Sequence, residues 1–296
     1  MDSSDVRRAV TEARRVALPE DREILHTVCQ KFSVDGQEDI IFPEGFVGEK
    51  LSVDVIVMHT SKVALQNVVR AVESLRVKVS DVMFTGLCSA LAVLTPEQKR
   101  SGAIVIDIGG GTTSYIVYEG DVVAGAGCIG IGGDHVTNDI ALAFNIPNAR
   151  AEILKREHSS TTPDEDSLSR TIEIPPELGF SGRVVSLRAL NTVVGLRVME
   201  ILERVKAEID SRKLKRFGAG VILTGGGALL KGICESASRI FGLPCSIGKA
   251  QNLSGLVEAR ERPQYAACCG ALLYAFRTLA EREKPRILDW FKRRLF

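Results

Sequence analysis

The 296-residue chain carries almost no net charge and few aromatic side chains. Its 38 Lys and Arg face 37 Asp and Glu, leaving +1, and aromatics make up 5%, with one tryptophan. A balance this near neutrality argues against nucleic acid as the main partner. Long apolar runs are missing too: nothing approaches the roughly 18–20 residues that a spanning helix needs. The opening residues, MDSSDVRRAV, hold no apolar stretch of the kind a secretory signal carries. Metal-ligand spacing is also missing. The seven cysteines (Cys29, Cys88, Cys128, Cys234, Cys245, Cys268, Cys269) form no C-x-x-C pair, and His26, His59, His135 and His158 are scattered. The thiols therefore read as buried and reduced, in a cytosolic chain with room for two domains. The histidines read as structural or solvated.

Glycine, by contrast, is present in informative places. Residues 104–113, IVIDIGGGTT, run from an apolar strand into Asp107 and then Gly109, Gly110 and Gly111, followed by Thr112 and Thr113. Ile104, Val105 and Ile106 read as a strand buried on both faces. Glycines without Cβ let the backbone turn tightly and bring N–H groups against an anion. Asp107 beside a phosphate would repel it unless a cation lies between, and Mg²⁺ bound through oxygen and water suits that role. A second strand (114–119), a Gly120-Asp121 turn and a third strand (122–126) follow. A hairpin after the glycines is not the G-x-G-x-x-G dinucleotide pattern, which needs a helix there. A hairpin with a glycine-rich tip and no ligand is the bland alternative.

Before this stretch, residues 3–16 predict a helix capped by Ser3 or Ser4, and 24–34 a half-buried strand. A short strand at 39–42 and a strong one at 51–59 are expected next. A helix over 62–75 with Val63, Val68, Val69 and Val72 on its apolar face, and a closing strand over 77–84, complete the unit. Residues 1–80 thus read as a strand–helix–strand subdomain whose role is contact with another protein. Residues 85–94 form a small-residue helix, and 95–97 a polar connector.

After the hairpin, Gly130, Gly132 and Gly133 precede a helix over 134–144 with Asp134 as cap, a weak ligand signal by itself. Residues 148–190 shift in composition and read as an inserted surface subdomain. It has a helix at 149–157, a solvated acidic loop holding Asp164, Glu165 and Asp166, and short strands at 172–174 and 183–187. A long amphipathic helix is predicted for 190–213, buried through Val194, Val198, Ile201, Leu202, Val205 and Ile209. A strand at 221–223 then ends in Gly225, Gly226 and Gly227, ahead of a helix over 229–241, an edge strand over 244–248 and a helix over 265–279. Open α/β sheets bind ligands at the carboxyl ends of their strands. Two glycine clusters that each close an apolar strand are more specific than either one. In the last eleven residues, RILDWFKRRLF, Ile287, Leu288, Trp290, Phe291 and Leu295 share one helical face, while Arg286, Asp289, Lys292 and Arg293 lie on the other. With Arg294 and Phe296 this reads as a basic amphipathic helix lying in a membrane interface, after a linker at 281–285. Docking on the protein body is the alternative.

The segments IDIGGGTTSYIVYEG (106–120), IGGDHVTNDIALAF (131–144), LTGGGALLKGI (223–233), AACCGALLYA (266–275) and the terminal amphipathic helix together resemble the FtsA family of bacterial actin-like division proteins. The resemblance implies an α/β actin-like ATPase (ribonuclease H-like) fold. Residues 1–80 would be the family's extra SHS2-like subdomain, 81–103 a first-lobe remnant, and 104–147 a phosphate hairpin. An inserted subdomain (148–190), an adenosine-binding part (191–280), a linker (281–285) and a membrane helix (286–296) would follow. It further implies that Asp107 positions Mg²⁺ through water, that Gly109, Gly110, Gly111 and Thr112 hold the phosphates of ATP, and that Gly132 and Gly133 lie by the ribose. Gly225, Gly226 and Gly227 would lie under the adenine, with Arg197 and Glu200 reaching the ribose. No general base is evident, so the expectation is slow hydrolysis, with ATP acting as a switch for polymerisation.

Implied partners are further copies of the chain, the C-terminal tail of the tubulin-like FtsZ on residues 148–188, other division proteins and an anionic membrane surface. The implied place is the bacterial cytoplasm, peripheral on the cytoplasmic face of the cell membrane at the division site. The family also has a first-lobe segment with its own phosphate loop, and nothing like it precedes Asp5. That implies either a longer protein or a reduced form. Rival readings are a PilM-like pilus adaptor, a nucleotide-free scaffold and a sugar- or acetate-kinase-type phosphotransferase.

Overall fold

The computed structural model describes residues 1–162, 169–176, 180–212, 214, 216–251, 253, 255 and 257–282. The expected acidic loop tip, Asp164, Glu165 and Asp166, and the membrane helix, including Ile287, Leu288, Trp290, Phe291, Lys292, Arg293, Arg294, Leu295 and Phe296, lie outside the described residues. In chain order the elements are α1 (Ser3–Ala13), β1 (Arg22–Val34), β2 (Gln37–Ile40), β3 (Leu51–Ser61), α2 (Lys62–Glu73), α3 (Thr85–Val93), α4 (Pro96–Ser101), β4 (Ala103–Ile108), β5 (Thr113–Glu119) and β6 (Val122–Ile129). They continue with α5 (Gly133–Phe144), α6 (Asn148–Glu157), β7 (Thr171–Ile174), β8 (Arg183–Ser186), α7 (Leu187–Asp210), β9 (Val221–Thr224), α8 (Ile233–Phe241), β10 (Cys245–Ile247), α9 (Val257–Glu261) and α10 (Ala266–Arg282).

The central sheet has the order β10-β9-β4-β5-β6, with β10, β9 and β4 parallel and the β4-β5-β6 meander antiparallel. Strand side chains alternate between faces, and both faces are buried. Ile104, Ile106, Tyr115 and Val117 point into a core closed by α5, α6, α7 and α8. Val105, Ile116, Tyr118 and Ile222 point into a second core closed by α3, the start of α10 and Met58 of β3. The apolar run of β4 is thus buried on both sides, as its composition predicts. The long α7 buries all six expected side chains, at roughly 1.5–3 kcal/mol for each large aliphatic group.

A second, antiparallel sheet, β2-β1-β3, is covered by α1 through Val6 and Val10 against Phe32 and Val34. Its β1 is tied to the edge of the central sheet where Gln30 Nε2 donates to Val123 O at 2.9 Å. β7 and β8 pair in a separate ribbon.

Four expectations change. Asp2, not Ser3 or Ser4, caps α1: its carboxylate accepts the Ser4 and Asp5 N–H groups at 2.7 and 3.0 Å. Hydrogen bonds to the charged form, led by the Ser4 side chain, hold Asp2 down to about 2. Helix α2 has the predicted period but buries no residue, and Val63 and Val68 are each 65% exposed. Residues 77–84 form no strand, because no ladder partner lies beside them among the described residues. Finally, no disulfide joins the described cysteines, but Cys128 and Cys268 are exposed rather than buried.

Candidate functional site

The parallel pairing of β4 with β9 sets Asp107 beside Thr224, so the two glycine clusters leave the sheet side by side. Their backbones are in contact. A Cβ on Gly225 would lie 2.3 Å from Asp107 Oδ1 and 2.5 Å from Ile108 O, and one on Gly227 would lie 2.4 Å from the Ile108 side chain. Gly225 also adopts φ +81°, a left-handed conformation that favours glycine. Its N–H donates to Pro263 O at 3.1 Å, and the Thr224 hydroxyl donates to the same carbonyl at 3.0 Å.

The hairpin tip is braced from its other side by the start of α5. Gly133 N–H donates to Gly109 O and Asp134 N–H to Gly110 O, both at 2.9 Å, while Gly109 N–H closes the tip on Thr112 O at 2.9 Å. A Cβ on Gly132 would fall 2.4 Å from Gly110 O. Gly132 and Gly133 are buried, so what they face is the hairpin backbone. The groups left open are Gly110, Gly111, Thr112 and Gly226, all exposed; Gly111 and Gly226 have nothing near the position a Cβ would take. Asp134 does not cap α5. Gly132 holds that position, with its N–H on His135 Nδ1 at 3.2 Å, and the Asp134 carboxylate instead lies over Gly110.

Asp107 is half-buried, and among the described residues its side chain is held by the Ser89 hydroxyl, which donates to Oδ2. Burial pushes its pKa up, with the Ser89 hydrogen bond opposing. A desolvated carboxylate beside the exposed glycine backbone, with no Lys or Arg paired to it among the described residues, fits a divalent cation that keeps water and phosphate ligands. Among the described residues no cluster of three or more His, Cys, Asp or Glu offers a fuller metal cage.

Sequence reasoning missed Lys155 and Glu152. Lys155 on α6 is buried, and its Nζ donates to Gly133 O at 3.0 Å, Thr137 Oγ1 at 2.7 Å and Glu152 Oε2 at 2.5 Å. Burial raises the Glu152 pKa, and Lys155 with Thr137 more than offsets it, leaving that carboxyl below its usual range. An i, i+3 acid–base pair is common on exposed helices, so only the tertiary contact marks this one. Arg197 and Glu200 are arranged differently. Arg197 forks onto Asp139 at 2.5 and 3.0 Å and also pairs with Glu200, which holds Arg204 at 2.5 Å. They stitch α5 to α7 and have no hydrogen bond or ion pair with either glycine cluster.

The chain matches the family model described as "Cell division protein FtsA" over residues 104–270, and "SHS2 domain inserted in FTSA" over 1–59. It is 33% identical over 280 residues to the cell division protein FtsA of Pseudomonas aeruginosa, covering 93% of this chain and 66% of that one. The chain thus spans about two thirds of the length of the curated relatives it matches. Among solved structures, the PilM-PilN type IV pilus biogenesis complex superposes with a TM-score of 0.62 at 16% identity, covering 93% of this chain and 73% of that one. MreB5 of Spiroplasma citri bound to ADP gives 0.58 at 18%, covering 76% and 69%. The sheet order, the paired glycine loops and these likenesses define an actin-like ATPase fold carrying an SHS2 subdomain, and the chain belongs to the FtsA family of cell division proteins.

Proposed function

We propose that this chain serves as an ATP-dependent division scaffold. It binds ATP with Mg²⁺ at the junction of the two glycine clusters and assembles with further copies of itself in an actin-like way. It couples the FtsZ ring to the cytoplasmic face of the membrane, with the FtsZ tail on residues 148–188 and residues 286–296 as the tether. The observation that carries the nucleotide part is the convergence of Asp107, Gly110, Gly111, Thr112 and Gly226 at the carboxyl ends of β4 and β9. Open N–H groups at the tip favour phosphate, Asp107 supplies the metal's carboxylate, and Lys155 fixes the backbone beneath. Mg²⁺, when bound, would screen Asp107 and Asp134 from the phosphates. Among the described residues no general base stands at the junction, so slow turnover, with ATP acting as a switch, is the reading we favour.

Titration calorimetry with ATP, with and without Mg²⁺, tests this directly. Binding that tightens with Mg²⁺ and is lost in Asp107→Asn supports the reading; no heat under either condition refutes it. The tether is tested through Trp290, the chain's one tryptophan. A blue shift of its emission on anionic vesicles, weakened by salt and absent on neutral lipid, is expected. A weak single helix suits a filament, which gains avidity by presenting many. Emission that is already blue and unmoved by lipid favours the pilus-adaptor reading instead.

A further inference from the structure

Ser89 is fully buried in the middle of α3, where a serine ordinarily turns its hydroxyl back onto the carbonyl one turn earlier. Here the hydroxyl instead crosses to the end of β4 and donates to Asp107 Oδ2. The other carboxylate oxygen, Oδ1, lies against the backbone of Gly225. Asp107 is therefore clamped between α3 and the second glycine loop. Its terminal torsion is intrinsically broad, so without Ser89 only Gly225, among the described residues, would fix the direction in which it presents its charge.

Helix α3 is itself held at several points. Its N-cap residue Phe84 donates its N–H to His26 Nε2 of β1 at 3.0 Å. Thr85 Oγ1 lies 3.1 Å from Ser114 Oγ of β5. Along its length Gly270 of α10 presses on the carbonyl of Cys88, the residue before Ser89. One short helix thus connects the three-stranded subdomain with the carboxylate at the glycine junction, with no flexible segment between Phe84 and Ser89.

We propose that Ser89 is a positioning residue for the metal-bearing carboxylate, and that α3 transmits the occupancy of that site to the SHS2 subdomain through Phe84 and His26. This rests on the nucleotide reading above. A hydrogen bond that only stabilised the fold would act equally with and without metal. A positioning bond acts where the metal is engaged.

The test compares ATP affinity of the full chain and Ser89→Ala across a Mg²⁺ titration, with hydrogen exchange at the Phe84 amide as a second readout. Loss of a hydrogen bond to a charged group predicts about tenfold weaker ATP binding in saturating Mg²⁺. Metal-free affinity stays unchanged. The Phe84 amide slows its exchange on adding Mg²⁺ and ATP to the wild type, and does so less in the variant. If Ser89→Ala does not fold, Ser89→Cys, which keeps a weaker donor, takes its place with the same expected direction. Wild-type binding with an unaltered Mg²⁺ dependence in the variant overturns the positioning role, and Phe84 exchange indifferent to Mg²⁺ and ATP overturns the coupling. No ATP binding by the wild type removes the nucleotide reading and this inference together.

Discussion

Gly270→Ala should destabilise the chain, although the same exchange inside an ordinary helix does the opposite. Gly270 is the fifth residue of α10, and a Cβ there would lie 1.7 Å from Cys88 O of α3. Carbon and carbonyl oxygen meet at about 3.3 Å, so the helices must part by roughly 1.5 Å. The blocking atom is backbone, which cannot rotate away. Parting them draws Ala266 and Cys269 out of the core they share with Leu87 and Ala90. Overpacking of this kind costs about 1–3 kcal/mol. Against it stands a helix-propensity gain of only about 0.5–1 kcal/mol, so at mid-range strain wins by roughly 1 kcal/mol. Urea unfolding followed by far-ultraviolet circular dichroism reads this directly; at a slope near 2 kcal/mol per molar, the midpoint falls by about 0.5 M. Gly226→Ala is the control, because nothing lies within 4 Å of its added carbon. A Gly270→Ala midpoint equal to or above wild type would refute the close α3–α10 packing. It would also remove one of the supports that place Ser89 against Asp107.

Gly225→Ala should abolish Mg²⁺-dependent ATP binding, since its φ of +81° and the 2.3 Å approach to Asp107 Oδ1 leave no room for a methyl group; calorimetry that finds wild-type affinity contradicts this. Lys155→Met leaves Glu152 and Gly133 O to share the single Thr137 hydroxyl, and should cost about 1–3 kcal/mol in urea unfolding. His26 gives a pH prediction. Its Nε2 accepts the Phe84 N–H, so the folded ring is neutral, and burial holds its pKa below the ordinary value, with Asp81 partly opposing. The unfolded chain therefore takes up the proton first. Stability falls as pH drops below about 6.5 and levels off beneath the folded value. His26→Gln should flatten that part of the curve between pH 7 and 5, and an unchanged slope would show that another group is responsible.

What was legible locally and what was not divide along physical lines. β4, β9 and α7 could be read because burial on one or both faces leaves a run or a period in the sequence itself. The two glycine clusters could be read as a pair because each closes an apolar strand. Residues 77–84, VKVSDVMF, have the composition of a strand, yet strand formation needs a ladder partner, which no local pattern encodes. The valines of α2 keep helical period without a buried face, since periodicity shows which side is apolar and not what covers it. Ser89, Glu152 and Lys155 escaped for a related reason. A serine in a small-residue helix and an acid–base pair on a polar one look ordinary until the sheet brings Asp107 and Gly133 against them. Asp2 escaped because two serines beside it offered the same capping chemistry.

The buried glycines explain why such a site can be formed before any ligand arrives. A Cβ on Gly132 or Gly225 would strike neighbouring backbone, Gly110 O at 2.4 Å and Ile108 O at 2.5 Å, and one on Gly227 would strike the Ile108 side chain at 2.4 Å. Their main work is thus to let three chain segments touch, while the open glycines, Gly111 and Gly226, face outward. The N–H groups of Gly133 and Asp134, which a helix start would otherwise leave unsatisfied, are already spent on the carbonyls of Gly109 and Gly110. That fixes the hairpin tip without using its outward N–H groups. A ligand meeting a tip already fixed loses less ordering entropy on binding. The same interlock makes the site brittle, because any side chain added at those three positions moves the β4–β5 hairpin, Asp107 and α5 together. Substitutions there should therefore lower nucleotide affinity and unfolding midpoint in parallel, whereas substitutions at Gly111 or Gly226 should change affinity alone.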